Sequence, residues 1–135
     1  GQRLLAAIAA LPADATLFDG ILLVLRFGLD VHHHKASLDP QFCIRSTRYD
    51  ELVRLDLVEA GRSWSAGATP ALFERFAGQI RVKDEAKARY LVHQTLLTLP
   101  RAMLLEHPDY LTQDDTAWMI ARMLHGLLGG EEEGV

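Results

Sequence analysis

Several features that mark particular classes of protein are scarce or missing in this sequence of 135 residues. A single cysteine, Cys43, excludes an internal disulfide framework and fits a reducing compartment, so we expect a cytoplasmic protein. No apolar run approaches the ~18 residues that a transmembrane helix needs, so we expect no membrane span. The net charge is −4 and there is no basic block, whereas nucleic-acid-binding surfaces are rich in lysine and arginine. We therefore expect this chain by itself not to bind nucleic acid.

β-Branched residues are also few, and the residues that stand in their place favour helices. Valine, isoleucine and threonine supply 19 residues, whereas leucine and alanine supply 40. Nearly half of the residues are hydrophobic (49%) and 24% are charged, a balance that is typical of a globular domain and excludes a disordered chain. The composition therefore predicts one all-α domain over residues 1–135.

Hydrophobic periodicity, together with signals for helix starts and ends, divides the chain into six helical segments. Thr16, Thr69 and Thr112 are the predicted N-caps, and 84–107 is predicted to be the longest helix. The first segment has no capping residue before it and the chain does not begin with methionine, so we expect the chain to be cut or truncated upstream. The predicted segments are 2–11, 17–34, 47–60, 70–80, 84–107 and 112–128.

No arrangement of residues in the sequence predicts catalysis or a metal site. A nucleophile elbow and a glycine-rich phosphate loop are both missing from the sequence. The run His32-His33-His34 is unsuited to metal binding because consecutive side chains on a helix point about 100° apart. We expect no enzymatic activity, no catalytic residues, no metal and no cofactor.

The last third of the chain resembles the end of a TetR-type transcriptional regulator. A long helix leads into the connector Leu104-Leu105-Glu106-His107-Pro108, and the leucine-rich last helix begins near Leu111-Thr112-Gln113-Asp114-Asp115. The segment 17–34 is similar to the central buried helix of that family. The family's N-terminal helix-turn-helix, which reads DNA, has no counterpart here, and 2–11 would correspond to the tail of the helix that links the two domains.

The resemblance implies an antiparallel helical bundle whose last two helices form the interface of a homodimer. The sequence of 112–128 fits such a role, because its apolar residues cover more than half of the helical wheel and need a packing partner outside their own core. The predicted interface residues are Leu91, Leu99, Met103, Met119, Ile120, Met123, Leu124 and Leu127.

An effector pocket within the bundle is the second implication. The aromatic residues before the last two helices fall between Phe18 and Phe76, while His32 and His93 each lie on or beside an apolar helix face. A core histidine with satisfied hydrogen bonds and a histidine that contacts a ligand both remain open. An apolar cavity bordered by an imidazole suits a small hydrophobic effector. The predicted ligand-binding residues are Phe18, Leu25, Leu29, His32, Phe73, Phe76, His93 and Leu97.

The functional expectation is an effector-binding and dimerisation domain of a TetR-like regulator. A small apolar ligand that binds two arrangements of the bundle differently would shift the spacing of DNA-binding domains, which are absent from this chain. DNA would be contacted only through those domains. The alternative is a free-standing helical adaptor that dimerises without any ligand.

Overall fold

The structure is a computed structural model, and it describes residues 2–38 and 67–129. Within these ranges the chain is helical with no strand, so the predicted all-α class is confirmed. Two short 3₁₀ turns, Ala77–Gln79 and Pro108–Thr112, precede the last two helices. The predicted helix 47–60 lies outside the described residues. The helices are α1 (Gln2–Ala9), α2 (Leu17–Leu38), α3 (67–75), α4 (Glu85–Glu106) and α5 (Asp114–Leu128).

Helix α2 lies at the centre of the described part, in contact with α1, α4, α5 and the second 3₁₀ turn. Its start is fixed by a reciprocal cap: Thr16 Oγ1 accepts a hydrogen bond from the Asp19 N–H (3.2 Å), and the Asp19 carboxylate accepts one from the Thr16 N–H (2.9 Å). The predicted cap at Thr16 is therefore confirmed. The buried face of α2 is aliphatic and supplies Leu17, Ile21, Val24, Leu25 and Leu29 to the core.

Helices α4 and α5 each pack more extensively on α2 than on each other. At its C-terminal end, α5 is held by a hydrogen bond from the Arg81 N–H to the Leu128 carbonyl (2.9 Å). The last two helices therefore contact each other only to a small extent, and an open space remains between them. The buried residues of α5 are Ala117, Ile120, Ala121, Leu124 and Leu128, and those of α4 are Ala88, Val92, Leu96, Pro100, Met103 and Leu104.

Some predicted helix boundaries are wrong. Thr69 does not cap α3, because the helix already includes residue 67; the Thr69 hydroxyl is buried and makes no hydrogen bond within the described residues. Thr112 does not cap α5: its hydroxyl donates to the Asp109 carbonyl (3.2 Å) inside the second 3₁₀ turn, and α5 begins at Asp114. Helix α2 continues beyond His34 and, at 22 residues, equals α4 in length.

Thr16, which caps α2, and Thr112, which caps no helix, provide a test of these capping assignments. Thr16→Ala is expected to lower the free energy of unfolding by about 1 kcal/mol, because it removes the side-chain partner of an N-terminal N–H of α2. Thr112→Ala is expected to cost less than about 0.5 kcal/mol, because the Thr112 hydroxyl is exposed and caps no helix. Urea unfolding followed by circular dichroism measures both values, and equal losses would contradict the assignment.

Candidate functional site

An apolar groove lies between α4 and α5, close to the turn that connects them. Its volume is about 580 Å³. Leu99, Ala102 and Met103 form the α4 side, and the α5 side is formed mainly by Met119 and Met123. We call this surface the α4–α5 groove. Its full lining is Leu99, Ala102, Met103, Glu106, His107, Tyr110, Gln113, Asp115, Thr116, Met119, Ile120 and Met123.

The α4–α5 groove contains all three methionines of the chain. Met103 is nearly buried at its base, whereas Met119 and Met123 on α5 are 59% and 65% exposed. Methionine side chains are unbranched and polarisable, so they adapt to an irregular partner surface. Exposed Leu127, one helical turn beyond Met123, extends this apolar stripe along α5.

The end of the groove nearest the connecting turn is polar. Glu106 and His107 from the end of α4 lie there together with Asp115 from the start of α5. The His107 imidazole stacks on the Tyr110 ring, with ring centroids 4.4 Å apart and an angle of 8° between the planes. The groove therefore has an acidic end and an apolar end.

Five of the eight predicted interface residues line this groove, and the eight differ in exposure. Leu91, like the stripe on α5, is exposed, and Leu99 is partly buried. Met103, Ile120 and Leu124 are buried in the core of the single chain. The interface prediction itself stays a prediction. The five predicted interface residues that line the groove are Leu99, Met103, Met119, Ile120 and Met123.

The eight predicted ligand-binding residues do not meet in any of the three cavities described here. Leu25, Phe73 and Phe76 are core residues with almost no exposed surface. His32 is partly buried, and its Nδ1–H donates to the Gly28 carbonyl one helical turn earlier (2.8 Å). Three of the others, His93, Leu97 and Phe18, are partly buried, and the buried Leu29 lines a separate groove.

That separate groove lies between α2 and the start of α5. It has a volume of about 270 Å³ and combines the buried Leu29 with charged side chains on both helices. Arg26 and Asp30 come from α2, and Asp114 comes from the first turn of α5. Opposite charges are interleaved here, so this groove favours no single class of ligand.

A third cavity combines Phe18, a predicted ligand-binding residue, with four residues that were not among the predicted site residues. Phe18, from the first turn of α2, faces Trp118 and His125 of α5, and Arg122 and Gly126 complete the lining. We call this site the aromatic recess; its volume is about 440 Å³. The spacing of Trp118, Arg122 and His125, which is i, i+4, i+7, is the signal in the sequence that places them on one face of a helix.

Comparison with known proteins returns no relative of this chain. No family model matches it, and neither a curated protein nor a solved structure is significantly similar to it. The TetR resemblance thus rests on the sequence pattern alone.

Within 2–38 and 67–129, no helix combines the length and the hydrophobicity that crossing a membrane requires. In the same part of the chain, no three histidine, cysteine or acidic side chains converge on a position where a metal ion would fit.

Proposed function

We propose that this chain is a dimerisation and effector-binding domain of the TetR type, and that two copies associate through their α4–α5 grooves. The observation that carries the dimer is the apolar stripe on α5, in which Met119, Met123 and Leu127 project from the single chain beside an apolar groove. Large exposed apolar patches mark association surfaces in proteins. The effector is a small apolar molecule, as the resemblance implies.

A second copy is the occupant that suits this groove best. A two-fold interface brings the same surface of each copy together, so the patch must be complementary to itself. The α4–α5 groove meets this condition, since its exposed wall of Met119 and Met123 is apolar and would pack into the equally apolar groove of the second copy. Four helices, α4 and α5 from each copy, would then form the contact.

The charges at the groove also favour a symmetric pair. With the two-fold axis near Met123, the acidic ends of the two grooves, at Glu106 and Asp115, lie at opposite outer edges of the contact. Like charges therefore stay apart and remain in water, where they add no desolvation penalty. The centre of the interface is left to methionine and leucine.

Sedimentation equilibrium of the unmodified chain tests the proposal. We expect a dimer with a dissociation constant of the order of 10 µM or tighter, because a specific interface of standard size supplies at least that affinity. A chain that remains a monomer at ten times this concentration would contradict the proposed function.

A further expectation concerns nucleic acid. With a net charge of −4 and no basic block, the chain is expected to show no salt-dependent binding to duplex DNA near physiological ionic strength. Fluorescence anisotropy with a labelled duplex at two salt concentrations measures this. Micromolar binding that weakens as salt rises would show that this chain itself contacts DNA.

A further inference from the structure

The aromatic recess holds its three rings in a fixed arrangement. The Phe18 ring stands nearly edge-on to Trp118, with centroids 6.3 Å apart at 70°, and edge-on to His125 at 5.8 Å and 79°. On its other side the His125 ring approaches Gly129 so closely that a Cβ at that position would lie 3.0 Å from the ring atoms. Aromatic rings prefer such edge-to-face arrangements, so these contacts favour the observed shape of the recess.

Trp118 is 43% exposed although it is the largest side chain on α5. Its ring is contacted by Phe18 on α2 and by the guanidinium of Arg122, which lies 5.0 Å from the ring centroid. The exposed part of the indole forms a wall of the recess. An exposed apolar wall inside a concave site is a surface that a ligand ring can cover.

Arg122 gives the recess a positive charge that no carboxylate of the described residues neutralises. Arg122 takes no part in the ion pairs Lys87–Asp84 and Arg89–Glu85, which lie on or beside the first turn of α4. The Arg122 guanidinium has its cation–π contact with Trp118 but no acidic partner there. Its planar set of N–H donors matches the two oxygens of a carboxylate.

We propose that the aromatic recess is a binding site for a small planar aromatic carboxylate. The ligand ring packs against Trp118 and Phe18, and its carboxylate accepts hydrogen bonds from the Arg122 guanidinium. The site is distinct from the α4–α5 groove, which uses a different face of α5, and it shares only Phe18 with the interior pocket predicted from the sequence. It therefore does not depend on the proposed dimer.

Gly126 provides a way to block the site without disturbing the fold. It lies on the helix and lines the recess, and a Cβ added there would meet no atom within 4 Å. A larger side chain at this position extends into the open space of the recess. Gly78 is the matched control, because a Cβ there also meets nothing and the residue is outside the recess.

The experiment uses 2-naphthoate and its neutral analogue naphthalene-2-carboxamide, titrated calorimetrically into the full chain. We expect saturable binding of 2-naphthoate with a dissociation constant below about 1 mM, and at least roughly tenfold weaker binding of the carboxamide, because the hydrogen bonds to Arg122 lose their anionic acceptor. Arg122→Gln, at an exposed position, is expected to lower the affinity for 2-naphthoate to that for the carboxamide.

Gly126→Leu is expected to abolish the binding of 2-naphthoate, while Gly78→Leu leaves it unchanged. Thermal unfolding of each variant confirms that the fold is intact. The absence of saturable 2-naphthoate binding, equal affinity for the two compounds, or undiminished binding to a folded Gly126→Leu variant would each overturn the proposal.

Discussion

Replacing Met123 and Leu127 together by glutamate is expected to convert the proposed dimer into a monomer. The double variant places two carboxylates on each copy at the centre of the apolar contact, where each must lose its hydration without gaining a partner. We expect the dissociation constant to rise by at least a hundredfold, which corresponds to a loss of at least about 2.7 kcal/mol of binding free energy. Multi-angle light scattering over a dilution series measures the change.

The fold of this variant is expected to remain intact, which separates its effect on association from an effect on stability. Met123 is 65% exposed in the single chain, so a glutamate there stays in water in the monomer. The matched control is Val31→Glu, because Val31 is an exposed apolar residue on α2 that does not line the groove. Val31→Glu should leave the dimer unchanged; equal dissociation by both variants, or by neither, contradicts the assigned interface.

The second large effect is a loss of stability, expected from a substitution at Gly20, where α2 approaches the end of α3 and the residue that follows it. An added Cβ at Gly20 would lie 2.4 Å from Cε2 of Phe76 and 3.0 Å from Cδ2 of Leu72. Phe76 is almost completely buried, with 2% of its surface exposed, so its ring is surrounded by the core. Gly20→Ala is therefore expected to destabilise the protein by about 1–3 kcal/mol, despite the better helix propensity of alanine.

Phe76→Ala is expected to cost about 3–5 kcal/mol, because it removes a buried ring and leaves a cavity. In that background Gly20→Ala should cost much less than in the unmodified chain, since the contact with the Phe76 ring is gone and only the 3.0 Å approach to Leu72 Cδ2 opposes the gain in helix propensity. Gly126→Ala, a helical glycine with open space around its Cβ position, is the control and should stabilise by about 0.5–1 kcal/mol. Chemical denaturation of the four variants gives the coupling, and strictly additive losses would rule out the close contact.

The fold class was predictable because leucine and alanine, which favour helices, greatly outnumber the β-branched residues, which favour strands. The central position of α2 was also predictable, because apolar residues cover most of its circumference. The start of α5 was not predictable from the sequence. The sequence pattern predicts a helix capped by Thr112, with Asp114 and Asp115 in its first turn. In the structure the Thr112 hydroxyl instead donates a hydrogen bond to the Asp109 carbonyl, within the preceding 3₁₀ turn. A single sequence cannot decide which of two adjacent turns uses a hydroxyl group.

The candidate sites were predictable only in part. The wheel of α5 is apolar over more than half of its surface, so the sequence could not separate buried Ile120 from exposed Met119. The distinction depends on the angle at which α5 packs on α2. Trp118 was overlooked for a related reason: its partner Phe18 is remote in sequence, and only the packing of α2 against α5 brings the two rings together.

The most direct test of the central claim uses the three methionine methyl groups as probes of the α4–α5 groove. Dimers mixed from ¹³C-methyl-methionine chains and unlabelled chains permit isotope-filtered measurement of contacts between copies. We predict intermolecular nuclear Overhauser effects from the Met119 and Met123 methyl groups, with methyl shifts that change on dilution. If the mixed sample is dimeric and none of the three methyl groups shows an intermolecular effect, the two copies do not associate through this groove.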